Sequence, residues 1–338
     1  MKNLRNYLMM VLVLSTVLFT SCKDDGDDVE VSHFSLMTEH MVSASLDLPN
    51  IIGSGDTKFV TAAPATEAEI TNWAAGWHIM DIRGANDFAT GHITGAKNVP
   101  FTGILDEAAV ATKPILIVCY SGQSACYATS LLRLAGYGST KALKWGMSGW
   151  NSASANHNSG WNNGVGDHVD GNANWVSTAA PSNVTFNHPS FSATAVDGPS
   201  ILRERVAAVI AAGFKGVAGT TVLANPDEYH INNYFNETDY SEFGHMNGAF
   251  RIQPLTVAND EIKYLSNEDK VVTYCYTGQT SAVISAYLNV LGYDAVSMKN
   301  GMNGINNHST VWTTGANASG NAKNQWKDTK PMEYPTIP

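Results

Sequence analysis

Apolar and polar positions along the chain fall into two recurring patterns. Short runs rich in β-branched residues, Ile115 to Val118 and Val271 to Tyr274, have the length and composition of strands buried on both faces. Each run is followed, after a short polar loop, by a stretch with helical spacing. In the first, Ala128, Leu131, Leu132 and Ala135 fall at i, i+3, i+4 and i+7 and predict one apolar helix face. Arg133, off that stripe, is expected in solvent. Both stretches stop at a Gly-Tyr pair, Gly136-Tyr137 and Gly292-Tyr293, where glycine suits a helix C-cap. A further strand is predicted after each, around Ala142 and Ala295. A different pattern opens the chain. Lys2 and Arg5 precede an apolar stretch of 12 residues, 8–19, too short to span a bilayer, so residues 1–21 read as a secretory leader.

The two strand–loop–helix units belong to an internal repeat. Cys119-Tyr120-Ser121-Gly122-Gln123-Ser124 recurs as Cys275-Tyr276-Thr277-Gly278-Gln279-Thr280, 156 residues later. Upstream, Gly91-His92-Ile93 matches Gly244-His245-Met246, and Gly95-Ala96 matches Gly248-Ala249. Downstream, Gly146-Met147-Ser148-Gly149 matches Gly301-Met302-Asn303-Gly304. Asn156-His157 with Trp161 and Trp175 mirrors Asn307-His308 with Trp312 and Trp326, and both Trp pairs lie 14 apart. The repeats therefore span 56–180 and 181–338, after a leader over 1–21 and an acidic tether and N-terminal extension over 22–55. Residues 151–175 hold seven Asn and no Lys or Arg, a loop composition. The preserved Trp spacing nevertheless predicts that each tail wraps back over its own domain. The two tail histidines read as hydrogen-bonding or packing residues, and no metal site is expected.

The six-residue loop carries the candidate chemistry. A Cys ends a buried strand, and a helix begins within a few residues. Helix N-termini expose unpaired N–H groups and the positive end of the dipole. A loop curled round the Cys aims several N–H groups at one point, which predicts a lowered thiol pKa and a nucleophilic thiolate. Gly122 and Gly278 supply the backbone freedom for the curl. Cys119 and Cys275 are the candidate nucleophiles. Cys126 lies seven residues after Cys119 and is expected in the core of the helix.

These residues resemble the rhodanese family. The first repeat matches over 77–150: Asp81-Ile82-Arg83, Phe88, Gly91-His92-Ile93, Gly95-Ala96, Pro100, the Cys119 loop, Gly136-Tyr137, and Gly146 through Trp150. The second matches over roughly 220–305, with Val222-Leu223-Ala224 in place of Asp-x-Arg and about nine extra residues between Asn225 and Gly244. The resemblance implies two tandem α/β domains, each a mainly parallel sheet of about five strands flanked by helices. It implies sulfur transfer from thiosulfate, a persulfide or a polysulfide through a cysteine persulfide, with no metal or cofactor. Asp81, Arg83, His92 and His245 would then be structural. The partner would be a small sulfur-containing anion or a protein thiol. Positions 120–124 and 276–280 carry no Arg or Lys, so the loops depend on backbone N–H groups. That neutrality also fits an alternative: a non-catalytic, surface-anchored binding module on the same scaffold. A Cys-based phosphatase is disfavoured, because the residue six after the Cys is Ala125 or Ser281 where an Arg would clamp phosphate.

Composition bounds the rest. The 338 residues, 44% apolar and 15% charged, suit two globular domains. A formal charge of −10, from 20 basic and 30 acidic residues, argues against a nucleic-acid-binding face. Four cysteines are too few for a disulfide scaffold. The sequence Leu18-Phe19-Thr20-Ser21-Cys22 resembles a bacterial lipobox, which implies lipidation at Cys22. Loss of Lys2 and Arg5 with the leader would take −10 to −12. The acidic run Asp24, Asp25, Asp27 and Asp28 resembles a surface-export tag. The expected location is lipid-anchored at the cell envelope, on the outer membrane, periplasmic or surface-exposed. The repeat pair makes a monomer sufficient.

Overall fold

The computed structural model describes residues 32–153, 160–161 and 163–338. The leader, Cys22 with its acidic run, and His157 lie outside the described residues. No helix among the described residues is long and apolar enough to cross a membrane.

The first repeat opens with α1 (His33–Ser43), α2 (Leu48–Ile52) and β1 (Val60–Thr61). There follow α3 (Ile70–Ala75), β2 (His78–Asp81), α4 (Ala85–Thr90), β3 (Lys97–Asn98), α5 (Ile104–Ala109), β4 (Ile115–Val118), α6 (Gln123–Leu134), β5 (Lys141–Leu143) and α7 (Gly146–Trp150). Its five strands pair in parallel in the order β1-β5-β4-β2-β3. After a short β6 (Trp175–Val176), the second repeat runs α8 (Gly198–Ala212), β7 (Gly216–Val217), α9 (Gly219–Ala224), β8 (His230–Asn233), α10 (Glu237–Phe243) and β9 (His245–Met246). It ends with β10 (Val271–Tyr274), α11 (Gln279–Leu291) and β11 (Ala295–Met298). Its sheet has four parallel strands, β7-β11-β10-β8, and a parallel bridge between Asn232 and Phe250 stands where a fifth would pair. The chain is thus α/β throughout, with the predicted apolar runs as central strands β4 and β10.

The two repeats meet through α6 and α11, which pack side by side. Ser130 Oγ donates to the Val283 carbonyl at 3.0 Å, and Asn289 Nδ2 donates to Tyr127 Oη at 3.2 Å across that seam. Each helix therefore faces its own sheet and the other helix, and almost every residue of both is buried. Cys126 is one of them, in the core cluster that runs through both helices. Arg133 is not in solvent. It is 3% exposed and donates to the carbonyls of Thr140, Ile51 and Lys58, at 2.9, 2.9 and 3.3 Å. Burial pushes its pKa down to about 10. An amphipathic pattern identifies the face against the sheet but not a second partner on the far side.

Residues from His33 onward are part of this core. Helix α1 packs on α8, and Met37, Met41, Leu48 and Ile51 are buried. Asp47 accepts from Leu48 N at 2.7 Å, from Val257 N and Ala258 N at 3.0 Å each, and from Tyr287 Oη at 2.7 Å. One buried carboxylate thus ties the first repeat's leading helices to the second repeat.

Each tail lies on its own domain only over its first part and then crosses to the other: Trp161 Nε1 donates to Ser121 O, and Asn317 and Asn321 Nδ2 donate to Asp239. Beyond Trp161, the first tail crosses to the second repeat: Gly166 N donates to Asn303 O at 3.0 Å, His168 N to Ile305 O at 2.7 Å, and Trp175 pairs with Met246. The second tail seats Trp312 against Phe243, then crosses back. Met332 N and Tyr334 N donate to Gly149 O and Trp150 O at 3.1 and 2.9 Å, and Ile337 bridges His92. His308 pairs with Asp167 at 2.7 Å, and no metal-ligating cluster occurs among the described residues.

Replacing Asp47 by Ala strands three backbone donors and a buried phenol together. The expected loss is about 3 kcal/mol of unfolding free energy by urea titration, with about 1 kcal/mol for Tyr287→Phe. Equal, small losses would show that Asp47 is not a structural hub.

Candidate active site

Both cysteines stand one residue past the end of a central strand, and both loops fold alike. The backbone turns because Gly122 and Gly278 take left-handed φ of +83° and +74°. Their lack of a side chain matters as much. A Cβ on Gly122 would sit 2.3 Å from Gln279 Nε2, and one on Gly278 would sit 2.4 Å from Gln123 Oε1. Each loop is therefore packed by the glutamine of the other repeat. Gln123 Oε1 accepts from Asn300 N at 2.7 Å and its Nε2 donates to Ser121 Oγ at 2.9 Å. Gln279 Nε2 donates to the Ser121 carbonyl at 3.2 Å, and Trp161 Nε1 donates to the same oxygen at 3.0 Å.

The repeated Gly-Met-x-Gly segments take up the loop carbonyls. Met147 N donates to Cys119 O at 2.8 Å, and Ser148 N and Oγ donate to Tyr120 O at 2.9 and 2.8 Å. Met302 N donates to Cys275 O at 2.9 Å, while Asn303 N and Nδ2 donate to Tyr276 O at 3.3 and 2.7 Å. Gly146 and Gly301, with φ of +59° and +55°, allow this approach; a Cβ would lie 2.4 and 2.2 Å from the two Cys carbonyls. With the carbonyls held outward, N–H groups are left facing the sulfur. Gly122 N and Ala125 N donate to Cys119 Sγ at 3.1 and 3.3 Å. Ser281 N donates to Cys275 Sγ at 3.4 Å, and that thiol contacts Ser281 Oγ at 3.7 Å.

The electrostatics differ from the expectation of a lowered thiol pKa. Burial pushes the Cys119 thiol up, and the hydrogen bonds from the Ser124 hydroxyl and from Ala125, Ser121 and Gly122 N–H only partly offset it. Cys119 is 2% exposed, and taking its thiolate out of water costs more than a few N–H groups return.

The second loop residue is anchored in each repeat by a carboxylate that the sequence did not single out. Tyr120 Oη donates to Asp87 and Tyr276 Oη donates to Asp239. Burial and the adjoining carboxylate raise both phenol pKa values. The signal was present: Asp87 lies four residues before Gly91 and Asp239 five before Gly244. Thr277 and Gln279 are buried, Thr280 and Ser124 half-buried, and Gln279 N donates to Thr277 Oγ1 at 3.3 Å.

Asp81 and Arg83 form a buried ion pair at 2.6 Å, and Arg83 also donates to the Gly91 carbonyl at 2.8 Å. The pair pins the end of β2 and makes no contact with the sulfur. In the second repeat its place is not taken by residues 222–224, which lie in α9. Strand pairing sets Asp81 opposite Val118 and Asn233 opposite Tyr274, so Asn233-Tyr234-Phe235 is the counterpart. Gly91 follows Asp81 by ten positions and Gly244 follows Asn233 by eleven, so the insertion of about nine residues expected there shrinks to one. Phe235 stacks on Tyr276 at 4.2 Å where Arg83 lies 6.0 Å from the Tyr120 ring. His92 stacks on Phe88 at 3.7 Å and His245 on Tyr240 at 4.0 Å, with ring nitrogens on backbone carbonyls. Both are structural.

The model of the rhodanese-like domain matches residues 65–153 and 226–308. The thiosulfate sulfurtransferase GlpE of Pseudomonas fluorescens is 34% identical over 76 residues, 22% of this chain and 70% of that protein. GlpE of Shewanella oneidensis is 35% identical over 79 residues, 23% of this chain and 78% of that protein. Among solved structures, a thiosulfate sulfurtransferase from Pseudomonas aeruginosa is 17% identical, with a TM-score of 0.26, over 79% of this chain and 46% of that one.

A raised thiol pKa makes Cys119 mostly protonated at neutral pH, so its alkylation should accelerate with pH. Site-resolved mass spectrometry should show the iodoacetamide rate at Cys119 still rising above about pH 8.5, the ordinary thiol value. A plateau below pH 7 would mean that the N–H cradle outweighs burial.

Proposed function

The chain belongs to the rhodanese-like domain family, and from that premise we propose that it is a sulfurtransferase working through a persulfide on Cys119, with Cys275 as a second competent thiol. The observation that carries this is the cradle at Cys119, where loop carbonyls point away and N–H groups converge on Sγ. Such a cradle suits a sulfur that holds negative charge during reaction.

In the forward step, Cys119 loses its proton to solvent or donor, and the thiolate attacks the outer sulfur of thiosulfate. An S–S bond forms to Sγ, the S–S bond of the donor breaks, and sulfite leaves with the electron pair. In the second step a thiol or other nucleophile attacks the outer persulfide sulfur and the Cys119 thiolate departs. No oxidant, metal or organic cofactor enters the balance. The N–H groups of Gly122 and Ala125 stabilise Sγ as attacker and as leaving group, and Tyr120 on Asp87 holds the loop open around it. Persulfides, polysulfides and protein thiols fit the same two steps. Together with the leader and Cys22, the reading places this chemistry on a lipid-anchored monomer of the cell envelope.

Intact mass before and after exposure to thiosulfate or polysulfide tests it. The expected result is a gain of one sulfur atom that Cys119→Ser abolishes, and a second, smaller gain that Cys275→Ser abolishes. Absence of any gain, with thiols free and the fold intact, would leave a binding module built on this scaffold.

A further inference from the structure

Beside the Cys119 loop lies a cavity of about 450 Å³. Ser121, Gln123 and Ser124 form one wall, Lys299 and Asn300 of the second repeat another, and Gly164 of the crossing tail lines it as well. We propose that Lys299 and Asn300 are the anion-recognising half of the Cys119 site, holding the oxidised, negatively charged end of a small sulfur donor such as a thiosulfate or thiosulfonate. The inference rests on the sulfurtransferase reading and supplies the cation that the loop itself lacks.

Charge is the first argument. The chain carries −10, yet no Asp or Glu is among the described lining residues of this cavity. Lys299 is exposed at the cavity and, among the described residues, has no carboxylate within salt-bridge range. Asn300 is the second. It is 7% exposed, and a Cβ on Gly164 would lie 2.5 Å from its Nδ2, so the carboxamide sits at the cavity wall. That Nδ2 has no hydrogen-bond partner. A buried donor left unpaired is costly; Nδ2 lies closed off beside Gly164 with almost no accessible surface, so an anionic oxygen satisfies it once that tail segment shifts. The residue is also held in place: its φ is +62° and its N–H donates to Gln123 Oε1. Ser124 lines the cavity one residue before Ala125, whose N–H donates to Cys119 Sγ at 3.3 Å, so cavity and sulfur are neighbours.

The counterpart positions show that the arrangement is specific to one loop. Lys144 and Trp145 precede Gly146 as Lys299 and Asn300 precede Gly301. Trp145 packs against Trp161 and Trp326 at 5.0 and 5.5 Å, and Lys144 Nζ is spent on Lys323 O and Asn324 Oδ1 at 3.3 and 3.4 Å. The second repeat thus lends its cation to the first loop, and the first repeat returns none. In transfer, the sulfite that leaves carries more negative charge than the sulfonate end it came from, so Lys299 and Asn300 favour departure as well as binding.

Two readouts on the full chain test this. Initial persulfidation of Cys119 against thiosulfate concentration, by intact mass, should show half-saturation raised about fivefold or more by Lys299→Gln and further by Asn300→Asp. Asn300→Asp keeps the shape and the left-handed backbone but turns a donor into a charge of the wrong sign. Lys299→Arg should stay within about twofold of the parent, and Lys144→Gln should leave half-saturation unchanged. Calorimetric titration of thiosulfate into Cys119→Ser gives the second readout, with binding weakened by the same two changes. Parent-like half-saturation and binding in both variants, or no thiosulfate binding to Cys119→Ser at all, would overturn the inference while leaving sulfur transfer standing. Lys299-dependent binding with no persulfide in the parent would keep the anion site and sink the transfer reading.

Discussion

Every polar group of a buried backbone must find a partner, and the Cys loops meet that demand in one direction only. The carbonyls of Cys119, Tyr120, Cys275 and Tyr276 are taken by the Gly-Met-x-Gly turns, which leaves Gly122 N and Ala125 N to face the Cys119 sulfur. The orientation of the cradle thus comes from a segment some 25 residues further along, and Gly146 and Gly301 matter because that segment must touch the loop backbone. A side chain at either glycine would push the two apart and release the carbonyls to turn inward. The arrangement around Cys119 Sγ depends on this contact before it depends on any side chain.

Duplication then sets what surrounds the loops. Because α6 and α11 start at the two loops and pack on each other, the loops lie at the seam, and Gln123 and Gln279 reach across it. A helix that would normally show one face to water is buried on both, which draws Arg133 into a nest of carbonyls and Cys126 into the core. The tails also cross to the opposite repeat. The stacked pair Trp161 and Trp326, 5.2 Å apart, joins one tail to the other over Trp145. Neither repeat is complete without the other's tail, and Asp47 adds a third tie from the leading helices.

Much of this was legible along the chain. Central strands, loop glycines and helix stops follow from local rules: β-branched runs, positive φ, and apolar spacing. The carbonyl-capping segment was visible as a repeat, though not as a cap, because hydrogen bonds between distant segments leave no periodicity. Other features depart from the sequence pattern for physical reasons. Equal Trp spacing in the two tails does not give equal positions, since Trp161 and Trp326 meet each other while Trp175 and Trp312 lie on the second repeat. Strand register, not motif similarity, decides that Asn233 and Phe235 replace Asp81 and Arg83. The thiol pKa was judged from hydrogen-bond donors alone, and the desolvation that came with burying the loop reverses the sign.

The two copies have diverged at the positions that face the seam, and the direction is physically coherent. Around Cys275, Phe235 stacks on Tyr276, Phe243 and Trp312 pack beside it, and Thr277 is buried where Ser121 is half-exposed. Ser281 gives that sulfur a hydroxyl neighbour, itself paired with Ser297 at 2.8 Å, where Cys119 has Ala125. Aromatic cover removes water from one loop, while Lys299, Asn300 and the hydroxyls of Ser121 and Ser124 keep the other polar and open. Losing Arg83 in the second copy follows the same course, because a guanidinium is replaced by a ring that stacks. The second copy packs aromatic rings around its loop, and it supplies the charged wall of the cavity beside the first.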